Sequence, residues 1–177
     1  MRLTYATLGA YLKYPWLSKP IAGGVASHKR AKFGCYHTEK HLLSTLAQQL
    51  GLIQQGDFHW CRHPLAYLLE AADDICYTLI DLEDGLALGM LRYDEIEPLF
   101  LQLLGDLPPP PELKQNVSAP QKIAALRGKA IEKLVSAIAT AFEQQQEALL
   151  TGTLQGGLLQ YCHPNLANGI DLAKNLA

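Results

Sequence analysis

No stretch of eighteen apolar residues occurs in this 177-residue sequence, so a membrane-spanning helix of ordinary length is not expected. The first segment, Met1 to Trp16, lacks the basic start, apolar stretch and cleavage site of a secretory signal. Cysteine is scarce. The four residues at positions 35, 61, 76 and 162 are widely spaced and include no Cys-x-x-Cys pair. A disulfide scaffold needs more cysteines in a shorter chain, so reduced thiols and a cytoplasmic location are the expectation. Neither sign of charge is in excess. Fifteen Lys and Arg stand against seventeen Asp and Glu, for a net charge of -2 and a pI near 6.3. That balance gives no global attraction to nucleic acid or to an anionic membrane. Alternating strand patterns are nearly absent, and there is no internal repeat.

What is present is helical. With 49% hydrophobic residues the chain is long enough for one domain with a real core. The expectation is an all-α fold, read as a single helical segment over residues 1–177. Residues 1–40 are rich in turn formers: Tyr14-Pro15-Trp16, Lys19-Pro20 and Gly23-Gly24 interrupt any period. Leu42, Leu43, Leu46, Leu50 and Ile53 form a helical stripe, with Gly51 near its end. Pro64 opens the strongest helix, expected over 64–84, and a further helix is expected from Asp94 to Leu104. Four consecutive prolines, Pro108 to Pro111, mark a connection over about residues 105–120. C-terminal helices follow over 121–177: a long one from about Gln121 to Leu150, a break at Gly156-Gly157, and a last piece from about Pro164.

The helix over 64–84 carries six of the seventeen acids, and no lysine or arginine stands between Arg62 and Arg92. None of the six therefore has a cation three or four residues away on the helix. Asp73, Tyr77 and Asp81 recur every four residues, which places them on one face over about 12 Å. Aspartate is a poor helix-interior residue, so two adjacent ones in mid-helix need a reason. The ordinary reading is a solvated polar face. Such a face usually mixes lysine with glutamate, and it does not usually carry an aromatic ring between two aspartates. The alternative is a ligand face: an aspartate for a hard divalent cation, a ring that stacks on a sugar or base, and a second aspartate accepting from sugar hydroxyls.

The string Arg62 to Tyr77, RHPLAYLLEAADDICY, followed by Asp81 to Gly85, DLEDG, resembles the signature of the bacterial deoxyguanosine triphosphate triphosphohydrolases of the HD superfamily. Leu12 to Trp16, LKYPW, resembles that family's Lys-Tyr-Pro loop, and Lys32-Phe33-Gly34 with Glu39 its Lys-Phe-Gly segment. The resemblance covers most of residues 1–150. It implies a helical HD-type fold and hydrolysis of a deoxynucleoside triphosphate to deoxynucleoside and triphosphate, in a homo-oligomer. In such a site two histidines and two aspartates surround a divalent metal, Mg or Mn, which polarises a phosphate oxygen and activates the attacking water. By resemblance Asp73 is a metal ligand, Tyr77 contacts the sugar or base, and Asp81 meets the sugar hydroxyl. Lys13 and Lys32 neutralise the triphosphate, and nucleic acid enters only as an effector of the parent enzyme.

One departure is plain. The six histidines are His28, His37, His41, His59, His63 and His163, and none precedes an aspartate. The remaining metal ligands are therefore expected upstream, and the chain is expected to be a partial C-terminal portion, inactive alone. A non-catalytic helical module that binds nucleotide or serves as a regulatory or assembly surface is the competing expectation.

Other signals are weaker. His59, Cys61 and His63 resemble a metal loop but fit no usual zinc spacing, and His63 is expected to cap the helix entrance instead. Asp73-Asp74 lacks the further aspartate of a prenyl-synthase motif, and Glu70 with Asp73 lacks the histidine of a di-iron helix. Lys29-Arg30-Ala31-Lys32 is a short basic cluster with a phosphate reading mainly for Lys32, and Arg127 has a surface role at least as readily as a phosphate one.

Overall fold

The computed structural model describes residues 3–18 and 32–176. Lys19-Pro20, Gly23-Gly24, His28 and the Lys29-Arg30-Ala31 part of the basic cluster lie outside the described residues. The architecture is all-α, with helices α1 (Tyr5–Tyr11), α2 (Lys40–Leu50), α3 (Pro64–Ala87), α4 (Tyr93–Leu104), α5 (Ala119–Gln144), α6 (Gln146–Leu150) and α7 (Pro164–Leu176). A small antiparallel hairpin of β1 (Gln54–Gly56) and β2 (His59–Trp60) is the one sheet among the described residues. No helix among them is long and apolar enough to cross a membrane.

The helix starts follow local chemistry. His63-Pro64 and His163-Pro164 open α3 and α7 in the same way. Proline takes the first helical position, where its missing N–H is no loss. The preceding imidazole accepts from the backbone two residues on: Leu65 N–H reaches His63 Nδ1 at 3.2 Å, and Asn165 N–H reaches His163 Nδ1 at 3.3 Å. The expected cap by His63 is thus present. At α5 the Gln121 side chain accepts from the Ser118 N–H at 3.0 Å, closing the turn ahead of the helix. Gly51 ends α2 in the left-handed conformation, at φ 63°.

The chain divides into two compact units. The first comprises Met1–Glu70 and Gln145–Gln155. Its α1 packs on α2, and its core gathers Leu43, Ala47 and Trp60 with Leu12, Leu17, Leu52 and Phe58 around them. The second comprises Ala71–Gln144 and Gly156–Ala177. There α4 packs on α5 and α7, burying Ile96, Phe100, Leu103, Ile123, Leu126, Leu134 and Ile170 almost completely. Lys133 Nζ donates to the Leu104 carbonyl at 2.6 Å, satisfying the open C-terminal end of α4. Lys129 holds the Pro108 carbonyl at 3.1 Å, so α5 anchors the proline-rich connection.

Three sequence expectations need adjustment. The long helix expected to Leu150 breaks at Gln145, where the backbone turns to φ -96°, ψ 13° and α6 begins. Phe142 to Glu147 are all helix-compatible residues, so no local signal marks that break. The apolar stripe expected on α3 is divided. Of its expected positions Leu65, Leu68, Leu69, Ala72, Ile75, Cys76, Leu79, Ile80 and Leu82, only Ile75, Leu79 and Leu82 are buried, whereas Leu65, Leu69, Ala72, Cys76 and Ile80 are exposed. The small residues Ala66 and Ala71 are buried in place of larger ones at the edge of that stripe. The hairpin was not expected, because three residues of β1 and two of β2 are too few to carry an alternating pattern.

Burial lowers the pKa of His63 below its ordinary 6.5, and its capping role requires an unprotonated Nδ1. As pH falls, the unfolded chain takes up that proton first. This part of the stability is therefore complete above about pH 6.5 and is lost as pH falls through the folded-state value. Thermal unfolding measured between about pH 7.5 and about pH 5.5 should show a smaller fall in Tm for His63→Asn, which caps without titrating, than for the parent chain.

Candidate functional site

The two lysine segments of the first unit come together. Trp16 and His59 form a bridge, as do Leu17 and Cys35. The Gly34 N–H reaches the Trp16 carbonyl at 3.3 Å, and the Trp16 indole N–H donates to the Lys32 carbonyl at 2.7 Å. Gly34 lies so close to the backbone that a Cβ there would sit 2.3 Å from the Tyr14 carbonyl oxygen. The glycine of Lys-Phe-Gly is therefore required for the two loops to touch.

Around Tyr14 the cations converge. Lys13 and Lys32 Nζ each lie 5.9 Å from its ring centroid, and the Arg62 guanidinium lies 5.5 Å from it. Arg62 is also 5.2 Å from the Tyr67 ring. Glu70 balances this positive charge. Its Oε1 is 3.0 Å from Lys13 Nζ and its Oε2 accepts from Arg62 at 2.6 Å, with the carboxylate side chain 17% exposed. So the structure brings Lys13 and Lys32 to one aromatic ring, and adds two residues that the sequence reading passed over, Tyr14 and Arg62. The available signal was their place in the two strings that carry the resemblance, Leu12 to Trp16 and Arg62 to Tyr77.

On the second-unit part of α3 the acids sort themselves. Asp74 pairs with Lys174 of α7 at 3.2 Å, and Glu83 pairs with Arg127 of α5 at 2.5 Å. The absence of nearby cations in the sequence is thus met for these two, and for Glu70, by partners distant in the chain. Arg127 is held by Glu83. Asp73, Asp81 and Asp84 form no salt bridge among the described residues, and all three are exposed. Tyr77, between Asp73 and Asp81 on the same face, is 66% exposed. The buried side of the same helix carries Thr78, whose hydroxyl donates to the Asp74 carbonyl at 2.6 Å.

The remaining histidines and cysteines do separate work. His59 stacks on Trp16 at 4.8 Å, Cys61 is buried with its thiol toward the Gly152 carbonyl at 3.7 Å, and His63 caps α3. Burial pushes the thiols of Cys35, Cys61 and Cys162 up, which keeps them protonated at neutral pH. Among the described residues no group of three or more His, Cys, Asp or Glu is arranged to hold a metal ion. The donors among the described residues therefore do not make up a complete metal centre.

If Glu70 organises the cation group, Glu70→Gln should lower stability by about 1–3 kcal/mol, through the loss of two charge-assisted contacts. Chemical denaturation of both chains checks this. A change below about 0.3 kcal/mol would show the pairs to be idle.

No family model matches the chain. A Pseudomonas aeruginosa protein named deoxyguanosinetriphosphate triphosphohydrolase-like is 51% identical over 178 residues, covering 99% of this chain and 40% of that protein. A protein of the same name from Synechocystis is 36% identical over 166 residues, covering 90% of this chain and 37% of that protein. A Serratia proteamaculans protein named deoxyguanosinetriphosphate triphosphohydrolase is 30% identical over 181 residues, covering 93% and 35% respectively. The chain spans about two fifths of the length of the curated relatives it matches first.

Proposed function

We propose, on the premise that this chain is a relative of the deoxyguanosinetriphosphate triphosphohydrolase-like proteins along nearly all of its length, that it forms the nucleotide-holding part of a deoxynucleoside triphosphate triphosphohydrolase. The reaction is attack of water on the α-phosphorus of a substrate such as dGTP, giving a deoxynucleoside and inorganic triphosphate. Asp73 would supply one oxygen ligand to a divalent cation, Mg or Mn. Tyr77 lies against the sugar or base, and Asp81 accepts from a sugar hydroxyl. Lys13 and Lys32 offset phosphate charge. Assembly into a homo-oligomer and a cytoplasmic location belong to the same reading, with nucleic acid as an effector only.

The observation that supports this reading is the sorting of the α3 acids. Those with partners are Glu70, Asp74 and Glu83. Asp73 and Asp81 stand exposed without salt bridges among the described residues, with an exposed phenol between them. A tyrosine gains little from standing in water among carboxylates, whereas a sugar or base against its face supplies contact area. Charge left uncompensated on an exposed row favours a cation or a hydroxyl donor.

The alternative is a non-catalytic helical module that binds nucleotide or serves as a regulatory or assembly surface. The lack of a complete metal-ligand group among the described residues favours it for this chain taken alone.

The purified chain should release no triphosphate from dGTP, and it should gain thermal stability with dGTP and manganese. Tyr77→Ala and Asp81→Asn should each weaken that response about tenfold, the scale of one stacking or hydrogen-bonding contact. Triphosphate release by the chain would overturn the partial-centre reading. Responses unchanged in both variants would overturn the nucleotide face.

A further inference from the structure

A cleft of about 780 Å³ opens in the first unit. Lys32 and Arg62 line it, whereas Lys13 is not among its described lining residues. Lys13 is held elsewhere. Its Nζ lies 3.0 Å from Glu70 Oε1, with the lysine side chain 31% exposed and the carboxylate side chain 17%. Arg62 stands in the cleft wall, yet its Nη1 donates to the other Glu70 oxygen at 2.6 Å. One carboxylate therefore engages both cations. Of the two lysines that the resemblance assigns to phosphate, only Lys32 lines the cleft.

The other paired acids of α3 differ. Asp74 and Glu83 each hold a single cation, Lys174 and Arg127, and none of these four is among the described residues lining the cleft. A clasp that served only to fasten loops would need no member in a cleft wall. Glu70 has such a member in Arg62, whose N–H fork fits a carboxylate and a phosphate alike. A carboxylate oxygen and a phosphate oxygen compete for the same donors, and a polyanion near Glu70 also meets like charge. Glu70 thus engages the donors that an arriving anion would need.

We infer that Glu70 is a built-in competitor for anions: it masks Lys13 and partly neutralises Arg62, and a phosphate chain must displace it to reach them. The inference rests on the phosphate reading proposed above and adds a device that regulates it. A carboxylate that merely positioned the two cations would act with the opposite sign. Removing its charge would loosen Lys13 and Arg62 and weaken anion binding. Removing a competitor tightens anion binding in a chain that has become less stable. Glutamine is the discriminating replacement, since it keeps the shape and an acceptor oxygen but loses the charge.

Calorimetric titration of the purified chain with inorganic triphosphate at low salt tests it. Glu70→Gln should bind triphosphate at least about fivefold more tightly than the parent chain. Lys13→Gln should weaken binding less than about threefold in the parent, where Glu70 masks the lysine, and at least about tenfold in the Glu70→Gln background. That non-additivity is a readout that a purely structural clasp would not give. An affinity unchanged or weakened by Glu70→Gln, or an equal loss from Lys13→Gln in both backgrounds, overturns the inference while the phosphate reading stands. Triphosphate binding in neither the parent nor Glu70→Gln overturns the phosphate reading and the inference with it. Should Glu70→Gln fail to fold, the parent alone decides. There Lys32→Gln should weaken triphosphate at least about tenfold and Lys13→Gln much less, and equal losses overturn the masking of Lys13.

Discussion

Glu70 is the point on which the first unit turns. One carboxylate, largely shielded from water, accepts Lys13 and Arg62 at once. Without it, two cations would meet across Tyr14 with only aromatic faces to moderate their repulsion. With it, the Lys-Tyr-Pro loop is fastened to the first turns of α3, and the guanidinium is oriented between two tyrosines. The hairpin and the Lys-Phe-Gly segment then close on the same loop, through Trp16 and the close approach of Gly34. A partly buried pair of this kind gives modest net stability, and its larger effect is to fix positions.

Much of the fold was legible because helix ends are local events. His63-Pro64, His163-Pro164 and Gly51 mark starts and stops within a few residues of sequence. The break at Gln145 and the division into two units were not legible. They are set by which distant surfaces each stretch covers, and no propensity within Phe142 to Glu147 announces them.

The candidate site divides in the same way. The row of Asp73, Tyr77 and Asp81 followed from helical spacing, and its residues are exposed together on one face. The counter-ions of Glu70, Asp74 and Glu83 did not follow, since Lys13, Lys174 and Arg127 lie far from them in sequence and a helical window sees only near neighbours. The result sharpens the reading of the helix. Scarcity of nearby lysine describes all six acids equally, whereas the distant pairs separate those that hold α3 to α5 and α7 from those left facing outward.

That outward row has a cost in the resting chain. Asp81 and Asp84, three residues apart without a cation, repel one another by tenths of a kcal/mol, and aspartate at 73 and 81 is a weak helix former besides. Random variation screened only for heat resistance would therefore drift toward alanine, lysine or glutamine at positions 73 and 81, and the winners would be sturdier proteins with a blank helix face. Persistence of acid at these positions in a laboratory lineage would measure selection for work rather than for endurance.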